Sequence, residues 1–316
     1  MSGSGTWAGL APAKVNLGLR VGPKRPDGFH GIRSHLAALE LCDRVRVAKR
    51  SADDDQLVLE GPYAAGLPTG PANLALRAAA ESRRVLGDRL GGGLSIHLEK
   101  NVPSEAGLAG GSADAAAVIF AAFRFSAEDP AGPLALQVAG KLGSDVAFFL
   151  AAADTGFGLA SGRGECIAPA ELGSRPWVAL LTPGFGASTA AVYGALGSRE
   201  PLAEAPTEPQ VPFAPEELHN DLEAAALEVV PGLADLRVGF DRAGLSQWRL
   251  SGSGSSLFGL YSDGAQAARD LQVARTVAQQ TTQADVDPLR LSQVTRIGGH
   301  GIRELLFWPP SGTDVR

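Results

Sequence analysis

The residues best suited to chemistry lie at 103–120, where a glycine-rich segment runs directly into a helix-forming one. Gly107 and Gly110 let backbone N–H groups approach a ligand closely, and the first helical turn adds unpaired donors and the positive end of its dipole. This pattern predicts an anion site with phosphate as its guest. A ligand-free turn, with Ser112 or Asp114 as the helix cap, is the alternative.

Four other segments combine polar residues with turn or helix signals. Lys14 and Asn16 alternate along a strand pattern and share one face, for which plain solvent exposure is the alternative. The run Arg25-Pro-Asp-Gly-Phe-His-Gly predicts a hairpin tip. Asp145 opens an apolar helix, where N-capping alone would account for it. The run Ser251-Gly-Ser-Gly-Ser-Ser predicts either a plain hairpin or a second phosphate cradle, facing the first loop across a cleft.

A frame of strands and helices must position these segments. Alternating and apolar runs predict strands at 9–22, 44–50, 53–60, 93–100, 155–168, 177–182, 247–250, 257–261 and near 302–307. Helical spacing and cap residues predict helices at 73–86, 112–125, 133–142, 145–150, from about 220, and at 265–280. The connector 170–176 separates two groups of elements, which predicts an α+β protein with domains at 1–172 and 173–316.

Composition restricts the classes of function. The net charge of −6 over 316 residues argues against a nucleic-acid surface and favours work on small molecules. Cys42 and Cys166 are far apart, and the five histidines form no metal-ligand pattern, so we expect a reducing cytoplasm and no caged transition metal. Neither a long apolar run nor an export leader is recognisable, which predicts a soluble protein with no membrane partner.

The order and spacing of the motifs resemble the GHMP kinase superfamily over nearly the whole chain. The resemblance rests on Ala11-Pro-Ala-Lys-Val-Asn-Leu, the loop at 103–114, Leu142-Gly-Ser-Asp-Val-Ala-Phe-Phe, Asn220-Asp-Leu-Glu and Ser251-Gly-Ser-Gly-Ser. The turn Arg25-Pro-Asp-Gly-Phe-His marks one branch, which acts on a cytidine diphosphate-linked alcohol. The resemblance implies a two-domain α+β fold, with an N-terminal domain like ribosomal protein S5 domain 2 and a ferredoxin-like C-terminal domain.

The resemblance also implies an activity and a set of site residues. It implies phosphoryl transfer from ATP, with Mg²⁺, to the 2-hydroxyl of a methylerythritol joined to cytidine by a diphosphate. Asp145 would be the base and Lys14 its partner. The residues implied for ATP are Pro103, Ser104, Glu105, Ala106, Gly107, Leu108, Ala109, Gly110, Gly111, Ser112 and Ala113. Those implied for the acceptor substrate are Asn16, Phe29, His30, Lys100, Thr189, Tyr193, Ser253 and Gly254. The resemblance also implies a Mg²⁺ contact at Ser112 but no set of metal ligands, and the oligomeric state stays open.

The chain departs from the family pattern at four positions. Ala109 replaces a glycine and Ala113 a serine, Glu105 adds a negative charge that we expect to point outward, and Phe29 stands where tyrosine is usual. A positive φ at Ala109 would strain the loop. A sister kinase for homoserine, mevalonate or a sugar, and a catalytically inactive nucleotide-binding relative, are therefore the alternatives.

Overall fold

The computed structural model describes residues 5–197, 218–281 and 289–304, which fold into two β-sheets flanked by helices. The strands are β1 Thr6–Lys24, β2 His30–Lys49, β3 Gln56–Glu60, β4 Leu94–Glu99, β5 Phe157–Ser161, β6 Cys166–Pro169, β7 Trp177–Pro183, β8 His219–Asn220, β9 Arg249–Leu250, β10 Leu257–Tyr261, β11 Leu289–Arg296 and β12 Arg303–Glu304. The helices are α1 Leu74–Leu86, α2 Gly110–Phe125, α3 Pro133–Leu142, α4 Ser144–Ala151, α5 Thr189–Ala195, α6 Glu223–Val229, α7 Pro231–Arg242 and α8 Gly264–Thr281.

The first sheet is built on the long antiparallel hairpin of β1 and β2. Its main order is β12-β1-β2-β4-β3, with β5 on β2, β6 on β5 and β8 on β1. Helix α2 packs on β1 and β2, and α1, α3 and α4 pack around α2 to close one core. Because α2 is rich in alanine, it lies close to its neighbours and is buried along most of its length.

The second sheet has the antiparallel order β11-β7-β10-β9. Helix α8 covers β7, β10 and β11, and α5, α6 and α7 follow one another around the same core. Side chains of Val15 and Leu17 on β1 pack against Val178, Leu180 and Phe258 of this sheet. The two sheets therefore share an apolar interface, to which β1 contributes side chains from the first sheet.

Several sequence-based boundaries need correction. The predicted strand at 155–168 is a hairpin of β5 and β6, and the predicted helix from about 220 begins at Glu223 and is divided at Pro231. Pairing with β1 extends β2 back to His30, well before the predicted start at 44. Strand β11 was not predicted, and of the strand near 302–307 only Arg303–Glu304 lies among the described residues.

The proposed division at 172 and 173 falls in the connector between β6 and β7. The chain does not keep strictly to that division, because β8 and β12 from its second half join the first sheet beside β1. None of the helices formed by the described residues is both long and apolar enough to cross a membrane.

Candidate active site

Lys14 and Asn16 lie on β1 with their side chains buried, at 5% and 6% exposure. Lys14 Nζ donates a hydrogen bond to Asn16 Oδ1 (2.6 Å), and Asn16 Nδ2 donates to Ser34 Oγ on β2 (2.8 Å). The alternative of plain solvent exposure is therefore wrong. Backbone pairing with β2 shifts register on both sides of this pair, and Lys14 N donates instead to Leu108 O of the glycine-rich loop (2.9 Å).

Asp145 lies in the first turn of α4, and its Oδ2 is 3.9 Å from Lys14 Nζ. The N-cap of α4 is Gly143, and no side-chain bond caps this helix, so N-capping does not account for the aspartate. Its side chain remains 38% exposed, whereas that of Lys14 is 6% exposed. The pair thus presents an accessible carboxylate beside a buried ammonium group.

The glycine-rich loop delivers the N-terminus of α2 to the same region. The helix begins at Gly110, and its N-cap is Ala109 with φ +56° and ψ +30°, so the alternative in which Ser112 or Asp114 caps it is wrong. All residues predicted for ATP, 103–113, lie in this loop and the first turn of α2. Glu105 is exposed, as expected from the sequence, and it also has a positive φ (+53°).

The second glycine-rich turn, at 251–256 between β9 and β10, contacts this loop directly. Ser251 Oγ donates to Gly107 O (3.0 Å), and Ser256 N donates to Ala106 O (3.1 Å). Gly107 has φ +75°, and a Cβ there would lie 2.3 Å from Ser251 O and 3.0 Å from Gly254 O, so the close approach requires glycine. The predicted cleft between the two loops is therefore wrong: they form one packed unit.

Asn220 holds the second turn in place. Its Nδ2 donates to Leu250 O (2.8 Å) and Gly252 O (2.7 Å), and its Oδ1 accepts from Leu222 N (2.9 Å). A Cβ on Gly252 would lie 3.2 Å from Asn16 Oδ1 and 3.6 Å from Lys14 Nζ. The turn therefore reaches the buried polar pair on β1 from the other domain.

A pocket of about 660 Å³ opens at the tip of the β1–β2 hairpin. Residues lining it include Lys24, Phe29, His30, Arg163, Thr189 and Tyr193. The rings of His30 and Tyr193 lie with centroids 5.6 Å apart, whereas Phe29 is 55% exposed. Thr189 Oγ1 lies 2.8 Å from Ser253 Oγ, which connects the pocket to the second glycine-rich turn.

Tyr193 also connects the pocket to the Lys14–Asp145 pair. Burial, followed by the negative charge of Asp145, raises the pKa of Tyr193 to about 12. The phenol therefore remains protonated and neutral over the physiological range. His30 Nδ1 must donate to Gly22 O (2.8 Å), because a carbonyl only accepts, and the neutral ring then has Nε2 as an acceptor.

Arg163 is a pocket residue that the sequence reasoning missed. Its guanidinium carbon lies 5.0 Å from the centroid of the Phe29 ring, a cation–π distance. Its carbonyl oxygen lies 3.5 Å from Ser144 Oγ, next to Asp145. Gly162 and Gly164 flank it with positive φ, and this glycine spacing was the available signal for a turn inside the run that was assigned to one strand.

Lys100, which was predicted to bind the acceptor substrate, does not line the pocket. It is only 2% exposed, and its Nζ forms ion pairs with Asp43 and Asp114. A side chain held in this way has no access to a ligand in the pocket. We therefore leave Lys100 out of the acceptor site.

Comparison with known proteins agrees with this fold. Models of the GHMP kinase N-terminal and C-terminal domains match residues 73–153 and 213–278. A solved homoserine kinase from Cytophaga hutchinsonii superposes with a TM-score of 0.71, over 96% of this chain and 99% of its own, at 17% identity. At that identity the likeness defines the fold alone, which is that of the GHMP kinases.

Two relatives specify the family further. The 4-diphosphocytidyl-2-C-methyl-D-erythritol kinase of Paracoccus denitrificans is 39% identical over 81% of this chain and 88% of its own. A crystal structure of 4-(cytidine 5'-diphospho)-2C-methyl-D-erythritol kinase is 32% identical, with a TM-score of 0.69 over 92% of this chain and 100% of its own. The chain belongs to the family of 4-diphosphocytidyl-2-C-methyl-D-erythritol kinases, and the predicted resemblance and fold are confirmed.

The strain at Ala109 leads to a prediction about stability. A left-handed backbone costs alanine more than glycine, so Ala109→Gly is expected to raise the free energy of unfolding by about 0.5–1 kcal/mol. Ala127 is the matched control, because it is exposed and has nearly the same φ (+53°) beyond the other end of α2. Urea unfolding of both variants measures the effect. If only Ala127→Gly stabilises, packing of the Ala109 methyl group outweighs the strain.

Proposed function

We propose that this chain transfers the γ-phosphoryl group of ATP to the 2-hydroxyl of 4-diphosphocytidyl-2-C-methyl-D-erythritol. The observation that best supports this proposal is that three features adjoin one another: the glycine-rich loop, the Lys14–Asp145 pair and the aromatic pocket. Such an arrangement lets a phosphate donor and a cytidine-bearing acceptor meet at one carboxylate. Phosphoryl transfer needs mainly positioning and charge stabilisation, which this site supplies without a nucleophilic side chain.

The phosphates of ATP would bind at the start of α2. The first helical turn there has N–H groups without intrahelical partners, and a Cβ on the exposed Gly111 would meet no atom within 4 Å, so the approach is open. Among the described residues, no group of three or more His, Cys, Asp or Glu is placed to hold a metal. Mg²⁺ belongs to the proposal as an ion that the phosphate oxygens, water and the Ser112 hydroxyl would hold, and it would offset phosphate charge.

The carboxylate of Asp145 would accept the proton of the substrate hydroxyl. The hydroxyl oxygen forms a bond to the γ-phosphorus, the bond from that phosphorus to the β–γ bridging oxygen breaks, and ADP leaves. Lys14 would orient Asp145 and stabilise negative charge on the transferring group, since its ammonium lies 3.9 Å from the carboxylate. Asn16 would keep Lys14 in place through their hydrogen bond.

The pocket at the hairpin tip would hold the cytidine end. Phe29 and Tyr193 offer aromatic faces for the base, and His30 Nε2 can accept from the exocyclic amine of cytosine. Thr189 and Ser253 would lie towards the diphosphate and methylerythritol, because they connect the pocket to the turn at 251–256. Gly254 stays in the proposal through its place in that turn.

The function is tested by measuring ADP release with ATP and Mg²⁺ and three acceptors: 4-diphosphocytidyl-2-C-methyl-D-erythritol, mevalonate and homoserine. Turnover confined to the cytidyl acceptor supports the proposal. Turnover with mevalonate or homoserine would favour a sister kinase, and the absence of turnover with every acceptor would favour an inactive nucleotide-binding relative. Calorimetric titration with CDP is a second way to distinguish the proposed function from these alternatives, because only the proposed pocket recognises a cytosine base.

Removing the exposed ring tests the cytidine pocket separately. Stacking on an aromatic side chain contributes about 1–3 kcal/mol per base, so Phe29→Ala is expected to raise the KM for the cytidyl acceptor by about 5-fold to 150-fold. The KM for ATP should change by less than about twofold, since the pocket that Phe29 lines has no lining residue from the glycine-rich loop. Steady-state kinetics with each substrate varied in turn gives both values.

Phe29→Tyr is the matched control for this variant. It keeps the stacking surface and restores the hydroxyl usual in the family, so its KM for the cytidyl acceptor should stay close to that of the parent. Equal rises in both KM values for Phe29→Ala would remove Phe29 from the acceptor pocket.

A further inference from the structure

Three charged side chains form a buried cluster that the proposed reaction does not use. Asp43 on β2, Lys100 directly after β4 and Asp114 on α2 are 0%, 2% and 3% exposed. Lys100 Nζ forms an ion pair with one carboxylate oxygen of each aspartate. One ammonium group therefore joins three elements of the first domain.

The cluster contacts the glycine-rich loop at both of its ends. At the entry to the loop, Asp43 Oδ1 accepts hydrogen bonds from Asn101 N (2.5 Å) and Val102 N (2.8 Å), the two residues before Pro103. At the exit, Asp114 lies one turn into α2. These contacts fix the start of the loop to β2 and the helix that follows it to the same lysine.

The first residue of α2 rests on this cluster. A Cβ on Gly110 would lie 3.2 Å from Asp43 Oδ2 and 2.9 Å from Val102 Cγ1, which is tighter than ordinary contacts. The N-terminus of α2 therefore lies against the same carboxylate that holds the entry of the loop. A displacement of Asp43 would be transmitted to the phosphate-facing end of the helix.

Stabilisation of the fold does not by itself explain why these charged side chains are buried together. Burial raises the pKa of Asp114 to about 7 against the opposing effect of Lys100, and Asp114 Oδ1 has no hydrogen-bond partner among the described residues. Burial also acts to lower the pKa of Lys100, but the two carboxylates outweigh it and raise that pKa. Buried ions of this kind often stabilise a protein no better than apolar residues would, whereas they can fix a unique geometry.

We propose that Asp43, Lys100 and Asp114 are positioning residues that fix the distance between the entry of the glycine-rich loop and the N-terminus of α2. The inference rests on the proposed function only in taking this loop as the site of the ATP phosphates. The N–H donors of the loop then converge before ATP binds, which removes an ordering cost from binding. The cluster acts through the backbone and touches no substrate.

Asp43→Asn is the main test, because the amide keeps the size of the side chain and an oxygen for the two backbone donors but loses the charge that holds Lys100. The dissociation constant of a non-hydrolysable ATP analogue, measured by calorimetry, is expected to rise by about 10-fold to 100-fold, because the N–H donors of the loop would no longer be ordered before ATP binds. The dissociation constant of CDP should change by less than about twofold, since no residue of the cluster lines the pocket at the hairpin tip, whose β2 residues lie at the start of that strand.

Asp55→Asn is the matched control. Asp55 also accepts a strand N–H, from Leu94 (2.8 Å), and pairs with an arginine, Arg83 (2.5 Å), but it does so at the opposite end of β4. It should lower stability without weakening binding of the ATP analogue. If both variants weaken the binding of the analogue and of CDP alike, the cluster is merely structural and the inference is overturned.

Lys100→Met is a stricter variant, but it leaves two carboxylates buried without a counter-ion and can prevent folding. Asp114→Asn replaces it in that case, and should weaken binding of the ATP analogue while CDP binding is retained. Unchanged binding of the analogue in both Asp43→Asn and Asp114→Asn would overturn the inference.

These binding measurements need no acceptor substrate, so they test the inference separately from the proposed function. The proposed function fails instead if the parent protein neither binds CDP nor phosphorylates the cytidyl acceptor.

Discussion

Replacing Asp145 with asparagine is expected to lower kcat by about 10²-fold to 10⁴-fold, the range for a lost general base. The amide keeps the shape of the side chain but cannot accept the hydroxyl proton. Binding of both substrates should change little, because Asp145 is neither the cap of α4 nor part of the packed loops. Single-turnover measurement of ADP formation, with calorimetry for the two substrates, separates the chemical step from binding.

The control for this variant is Asp88→Asn, the same chemical change at an exposed aspartate that follows α1. It should leave kcat at the parental value. Near-normal turnover in Asp145→Asn would refute the assignment of Asp145 as the base. A large rise in the KM for either substrate with kcat unchanged would make Asp145 a binding residue instead.

The second large effect is expected at Lys14. Lys14→Met keeps much of the length of the side chain but removes the ammonium beside Asp145, and kcat is expected to fall by about 10²-fold to 10³-fold, as for other lost groups that stabilise transition-state charge. The buried position of Lys14, with Asn16 as its acceptor, means that some stability will be lost as well. Thermal unfolding measured beside the kinetics keeps the two effects apart.

The double variant Lys14→Met with Asp145→Asn gives a sharper result than either change alone. When two residues act as one unit, their effects on kcat are not additive in free energy, so kcat of the double variant should be little lower than that of the less active single variant. A fall in kcat equal to the product of the two single falls would mean that the two residues act independently. Lys141→Met, at a half-exposed lysine on α3, is the matched control and should leave kcat unchanged.

Local signals predicted the helices of the first domain well, since caps and periodicity lie within each segment. Asn73 caps α1 by accepting from Ala75 N, and Gly87 follows the last residue of that helix, as the sequence indicated. The first half of β2 escaped prediction because its Ala, Leu and Glu residues favour helices, and only pairing with β1 makes it a strand. Strand β11 likewise owes its form to pairing with β7.

The residues of the candidate site likewise differ in how well the sequence predicts them. The glycine-rich loop could be named as an anion site from its own residues, whereas the roles of Lys14 and Asp145 came from the resemblance to the GHMP kinases, because each residue alone also fits solvent exposure or helix capping. The position of Lys100 could not be predicted, because its partners Asp43 and Asp114 come from two other elements and give no local sign of an ion pair. Arg163 was missed for a similar reason, since its contact with Phe29 spans distant parts of the chain.

The hydrogen bonds from Ser251 and Ser256 to the glycine-rich loop have a consequence for how the protein can be divided. A fragment that ended before β7 would keep Lys14, Asp145 and α2, yet Ala106 and Gly107 would lose the donors that their carbonyl groups now have. The proposed nucleotide site is thus completed by residues that are synthesised after all of its other parts. Neither half is therefore expected to be a working enzyme, and a newly made chain becomes competent to bind ATP only after its C-terminal half has folded onto the first.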